Sequence, residues 1–124
     1  MDAKQELTKL RAEFHDCQKI LTALGDETRQ HLFSMMMLAD CCGSRVVDIA
    51  EKTNLSRPAV SHHMQILKEA GIVTSRKEGT RIYYLLNPEF DSMHKMSVLF
   101  SHIETLIKYD QSEREKKSEQ RTRK

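Results

Sequence analysis

The chain lacks tryptophan and has only 6% aromatic residues, so a hydrophobic content of 39% supports a modest core at most. It has no apolar run near the roughly 20 residues of a bilayer span and opens on no signal-peptide pattern; a reduced cytoplasm is therefore expected. Its three cysteines, Cys17, Cys41 and Cys42, are odd in number and form no paired framework, which argues against a disulfide-stapled fold. Catalytic motifs are missing as well. There is no nucleophile–base pair, phosphate loop or paired carboxylate, and the six histidines (15, 31, 62, 63, 94, 102) are scattered or lie on helix faces, so an enzyme is not expected. His15 and His31 receive no role. At 124 residues the chain holds one folded domain, residues 1–108, and a tail, 109–124.

The net charge of +2 says little, but its distribution says more. Residues 45–81 carry seven Lys/Arg against four Asp/Glu, and residues 108–124 carry the same counts. The segments 1–44 and 82–107 are each net acidic. Two basic regions suit a polyanion, because neutralising phosphates supplies most non-specific affinity for DNA.

The first basic region surrounds a well-marked helix, Ser56 to Gly71. Ser56 can cap it, Pro58 sits in the first turn where a missing N–H costs little, and Gly71 can take the left-handed cap conformation. Val60, Met64 and Leu67 recur at helical spacing, with Ala59, His63, Ile66 and Ala70 beside them, as a buried stripe. Arg57, Ser61, His62, Gln65 and Lys68 fall on the other face, with no acid before Glu69. Arg, Ser and Gln are side chains that read base edges in the major groove, and a recognition helix leads with its N-terminal residues.

The flanking segments fit that reading. Residues 3–24 form a long helix capped by Asp2, with Leu7, Leu10, Phe14, Cys17, Leu21 and Leu24 spaced as a narrow seam that wants a partner helix. Gly25 ends it. Asp26 caps a helix over 27–39, apolar nearly all round from Leu32 onward and so expected at the centre; its Met35, Met36 and Met37 read as core filler. Residues 40–44 form a turn. A short helix over 46–53 and the tight connection Thr53-Asn54-Leu55 complete a helix-turn-helix. After Gly71 the period changes to 2, and residues 72–86 form a β-hairpin turning at Gly79. Its tip carries Arg76, Lys77, Thr80 and Arg81, as a DNA-binding wing would. Asn87 and Pro88 start the last helix, where Met93, Met96, Phe100, Ile103 and Ile107 form a second seam. The two seams predict that the first and last helices pack together and against their copies in a homodimer, placing two recognition helices about 34 Å apart. Residues 109–124 hold almost no apolar side chains and are expected to be a disordered basic tail, with contact to DNA left open.

The runs Leu24-Gly-Asp-Glu-Thr-Arg29, Val47-Asp-Ile-Ala50, Leu55-Ser-Arg-Pro-Ala-Val-Ser-His-His-Met64, Leu67-Lys-Glu-Ala-Gly-Ile-Val73 and Gly79-Thr-Arg-Ile-Tyr-Tyr84 together resemble the ArsR family of bacterial winged-helix repressors, over residues 18–108. The resemblance implies a mainly α, winged helix-turn-helix fold that dimerises through its first and last helices. It also implies repression by promoter binding, with release when an effector binds. On this reading Arg57, Ser61, His62 and Gln65 read bases, while Thr53, Ser56, Lys68, Arg76, Lys77, Thr80 and Arg81 hold the DNA backbone. The alternative is a winged-helix protein-interaction dimer without DNA binding, whose outer helix face should have turned acidic or apolar.

The family's sensing motifs do not carry over. Its thiolate metal site uses a Cys-x-Cys just before the Asp that matches Asp48; Arg45 and Val47 stand there. Its interfacial zinc site uses an Asp-x-His and a further pair on the last helix. Here Asp91 is followed by Met93, His94 falls one place late, and His102 lies one residue before the third ligand's place. Asp91, His94 and His102 stay as metal candidates across the dimer, and Cys41 and Cys42 as thiol-sensing candidates. Persulfide-sensing members need a cysteine in the last helix, and this chain has none there. No cofactor is certain, and the effector stays open among a metal ion, a thiol oxidant, an organic ligand or none.

Overall fold

In a computed structural model of the chain, residues 2–38, 43–89 and 91–122 are described. Among the described residues, six helices and a small sheet follow one another: α1 (Ala3–Asp16), α2 (Gln18–Leu24), α3 (Glu27–Met37), β1 (Ser44–Arg45), α4 (Val46–Thr53), α5 (Arg57–Glu69), β2 (Val73–Glu78), β3 (Arg81–Leu86) and α6 (Asp91–Thr122). The core gathers on the inner stripe of α5, where Val60, Met64 and Leu67 are fully buried against Ile20 and Ala23 of α2, Leu32 of α3 and Ile49 of α4. Leu99 reaches the same core from α6.

Several helix ends form as their residues dictate. Asp2 accepts from the Lys4 N–H at 3.0 Å, Asp26 from Arg29 N–H at 3.0 Å, and Ser56 from Ala59 N–H at 3.2 Å. At the far end of α5, Gly71 takes φ +77°. Its N–H reaches Lys68 O at 2.9 Å and the Ile72 N–H reaches Leu67 O at 3.0 Å, the paired bonds of a Schellman stop. The α4–α5 turn needs another positive φ, and Asn54 supplies it at 58°. Gly79, φ 62°, opens the two-residue turn that joins Glu78 to its partner Arg81. The sheet order is β1-β3-β2, antiparallel throughout, with Ser44 opposite Tyr84 and Val73 opposite Leu86. Strand β1 is an addition to the expected hairpin.

Five expectations are corrected. The helix over 3–24 is broken at Cys17 because its halves pack on different partners, α1 on α6 and α2 on α3 and α5. Cys17 sits at the joint with 1% of its surface exposed, so it belongs to this chain's own core and offers no area to a dimer seam. Helix α3 is not buried all round: Leu32 and Met36 face inward, but Met37 is exposed and Leu38 beyond it is 92% exposed. One face of a helix at the edge of a small domain can reach the core, and the rest meets solvent. The last helix starts at Asp91, not Pro88; Asn87 instead accepts the Glu89 N–H at 3.1 Å and donates to Gly71 O at 2.9 Å, closing the chain over α5. Finally, residues 109–122 continue α6 as helix. They contain neither Gly nor Pro, are rich in Glu, Lys, Arg and Gln, and carry the i,i+4 pair Asp110–Arg114 at 3.0 Å.

Candidate nucleic-acid interface

Helix α5 presents its outer face as the sequence suggests. Arg57, Ser61, His62, Gln65 and Lys68 are all exposed, while the stripe three and four residues away is buried. Ser56 caps the helix and lies beside this face at its N-terminal end. Gln65 is steadied by Glu69, its Nε2 donating to Oε1 at 3.3 Å. Thr53 is part-buried: its hydroxyl donates to Ile49 O at 2.7 Å and faces the Leu55 N–H at 3.4 Å, so it fastens the turn between α4 and α5.

The wing places Arg76, Lys77, Thr80 and Arg81 at one exposed end. Arg76 is held along its own strand, with Nε 3.1 Å from Glu78 Oε1, and across the hairpin, with its guanidinium 5.1 Å above the Tyr83 ring centre. The exposed α5 face and the wing tip thus both carry basic side chains, with Glu69 and Glu78 paired to Gln65 and Arg76. Behind the α5 face lies a group that spacing alone did not single out. Arg29 of α3 donates from Nε to Ala23 O at 2.8 Å and from Nη2 to Thr22 O at 3.1 Å, and its Nη1 meets His63 Nδ1 of α5 at 3.3 Å. The Arg29 N–H also holds the Asp26 carboxyl below the usual carboxylate range. The only sequence signal for Arg29 was its place in the Leu24–Arg29 run.

The seam residues divide. Leu7, Phe14, Phe100 and Ile107 are exposed on α1 and α6, whereas Leu10, Met93, Met96 and Ile103 already pack on the chain's core. The metal candidates do not converge within a chain, because Asp91 and His102 are eleven residues apart on one helix, about 16 Å along its axis. Among the described residues no group of three His, Cys, Asp or Glu could hold a metal ion. Cys41 and Cys42 lie outside the described residues. The Cys17 thiol is pushed above its ordinary value by burial, with Asp16 adding to the effect, which disfavours a reactive thiolate there.

His102 has a different partnership. Its Nδ1 lies 2.8 Å from Glu13 Oε2 and its Nε2 2.7 Å from Glu6 Oε2, so one imidazole links α6 to both ends of α1. A neutral ring has a single N–H, and both bonds are made only by the imidazolium. The Glu13 and Glu6 hydrogen bonds accordingly raise its pKa above the usual histidine value. Between about 6.5, the unfolded value, and that raised value, the folded chain binds the extra proton, so stability falls as pH rises through this window. Urea midpoints of the native protein should therefore fall from pH 6 toward alkaline pH, and His102→Gln should flatten that slope. Parallel slopes would remove the link.

The fold and this surface define a winged helix-turn-helix DNA-binding protein. Residues 26–75 match the family described as bacterial regulatory protein, arsR family. The chain is 37% identical over 68 residues to the transcriptional repressor SdpR of Bacillus subtilis, covering 55% of this chain and 72% of that protein. Its fold is shared with an ArsR-like transcriptional regulator from Rhodococcus, with TM-score 0.74 and 23% identity over 86% of this chain and 93% of the other. The homodimeric winged helix-turn-helix DNA-binding domain of a possible ArsR-family regulator from Mycobacterium bovis is similar at TM-score 0.51 and 26% identity, over 87% of each chain. The chain belongs to the ArsR family of bacterial regulatory proteins and is a DNA-binding transcriptional regulator. No described helix is long and apolar enough to cross a membrane.

Proposed function

We propose that this protein is a homodimeric, cytoplasmic repressor without enzymatic activity that binds an operator and leaves it when an effector binds. The exposed polar face of α5 beside a basic wing carries the reading: Arg57, Ser61, His62 and Gln65 meet base edges, and Ser56, Lys68, Arg76, Lys77, Thr80 and Arg81 meet phosphates. Thr53 acts through the turn it fastens. Exposed Leu7, Phe14, Phe100 and Ile107 form the dimer face, extending a layer that α1 and α6 begin within each chain. Residues 1–108 serve as the DNA-binding and dimerisation domain, and residues 109–122 form a charged extension of α6.

The test starts from a duplex enriched out of random DNA by the native protein. Gln65→Ala lowers discrimination at one base position by about 1–3 kcal/mol and leaves random DNA nearly unaffected. Lys77→Ala weakens both DNAs alike and reduces the salt slope by about one. Equal losses on both DNAs for Gln65→Ala would refute its base-reading role. Failure to enrich any duplex would favour an interaction dimer instead.

A further inference from the structure

Arg29 grips the recognition helix from behind. Its side chain is only 12% exposed, so it lies too deep to be a phosphate contact itself. The guanidinium is a flat fork whose donors point in fixed directions. Two of them are fixed on the last turn of α2, at Ala23 O and Thr22 O, and a third points at His63. Nη1 is also 4.0 Å from Asp26 Oδ2 at the start of α3. A guanidinium has no acceptor, so His63 Nδ1 receives the bond and the ring carries its proton on Nε2.

Helix α5 is tied at its C-terminal end by separate bonds. Ser92 of α6 donates to Ala70 O at 2.8 Å and Asn87 to Gly71 O at 2.9 Å. Those bonds fix the C-terminal end, away from the residues that lead into the groove. His63 is the middle residue of α5, next to His62 and within one turn of Ser61 and Gln65. Rotating α5 about its axis would pull His63 from Arg29 and swing the base-facing side chains through the same angle. Base contacts fail with displacements of about 0.5 Å or 10–20°, whereas phosphate contacts on flexible side chains tolerate them.

We propose that Arg29 is a positioning residue for sequence discrimination: acting through His63, it sets the rotation of the recognition helix without touching DNA. This rests on the DNA-binding reading of α5. The test uses Arg29→Lys, which keeps the charge and loses the fork, and His63→Phe, which keeps a flat ring and removes the acceptor. Each is titrated with the duplex enriched by the native protein and with a scrambled duplex of the same composition. Each variant should lose about 10-fold on the enriched duplex, the scale of one bidentate base contact. Each should stay within about twofold on the scrambled duplex with an unchanged salt slope, since phosphate contacts are intact. The double variant should lose no more than the worse single. Thermal unfolding without DNA identifies a variant that fails to fold; the other then decides. Unchanged discrimination, equal losses on both duplexes, or losses that add would overturn the proposal. If the native protein enriches no duplex, the DNA-binding reading beneath it fails first.

Discussion

Phe100→Glu should leave each chain folded, convert the dimer to monomer and weaken operator binding by at least about 100-fold, the avidity of two linked half-sites being typically 10²–10⁴. Phe100 is 48% exposed in the single chain, so its removal leaves no cavity in the core around Leu99 and α5. Its exposed neighbours in the seams, Leu7, Phe14 and Ile107, gain burial only from a second chain. A two-fold axis places every interface substitution in the contact twice. Two carboxylates would then have to leave water without partners, a cost that a modest apolar face cannot offset. Sedimentation equilibrium reads the oligomer, circular dichroism reads the fold, and titration with operator and random duplexes reads the binding. A variant that stays dimeric would show that α1 and α6 are not the interface. A folded monomer with native operator affinity would show that dimerisation does not serve DNA binding.

The parts of this protein that sequence reveals are those set by local rules. The outer face of α5, the wing and the turns at Gly71 and Gly79 follow from spacing, capping and the need for positive φ. The break at Cys17 does not, because the heptad runs on through it and only the different partners of α1 and α2 explain it. Strand β1 is two residues long, too short to show a period. The Arg29 fork draws on residues 22, 23, 26 and 63, and the His102 bridge on residues 6, 13 and 102; no window of sequence contains either set. The helical extension beyond 108 was hidden for another reason. Its composition suits solvent equally well as a charged helix or as a tail, and i,i+4 pairing favours the helix.

Gly71→Ala is expected to cost about 2–3 kcal/mol, a large share of the stability of a domain this size. Two separate penalties add at this position. A left-handed φ of +77° costs an L residue about 1–2 kcal/mol, partly offset by a less flexible unfolded chain. In addition, a Cβ here would lie 2.6 Å from Ser92 Oγ, well inside contact distance. Ser92 cannot swing aside freely, because its hydroxyl donates to Ala70 O at 2.8 Å and helps anchor α6 to the end of α5. Losing that bond adds about 1 kcal/mol. Gly79 separates the two terms. It has nearly the same backbone, φ 62°, but nothing lies within 4 Å of its Cβ position, so Gly79→Ala should cost only about 1 kcal/mol. Thermal melts should therefore put Gly71→Ala roughly 10 °C below the native protein and Gly79→Ala about half as far. In a Ser92→Ala background the collision is gone, and Gly71→Ala should then cost no more than Gly79→Ala does. Equal costs for the two glycines in the native background would mean that backbone strain alone governs both, and that α6 does not press on the end of the recognition helix.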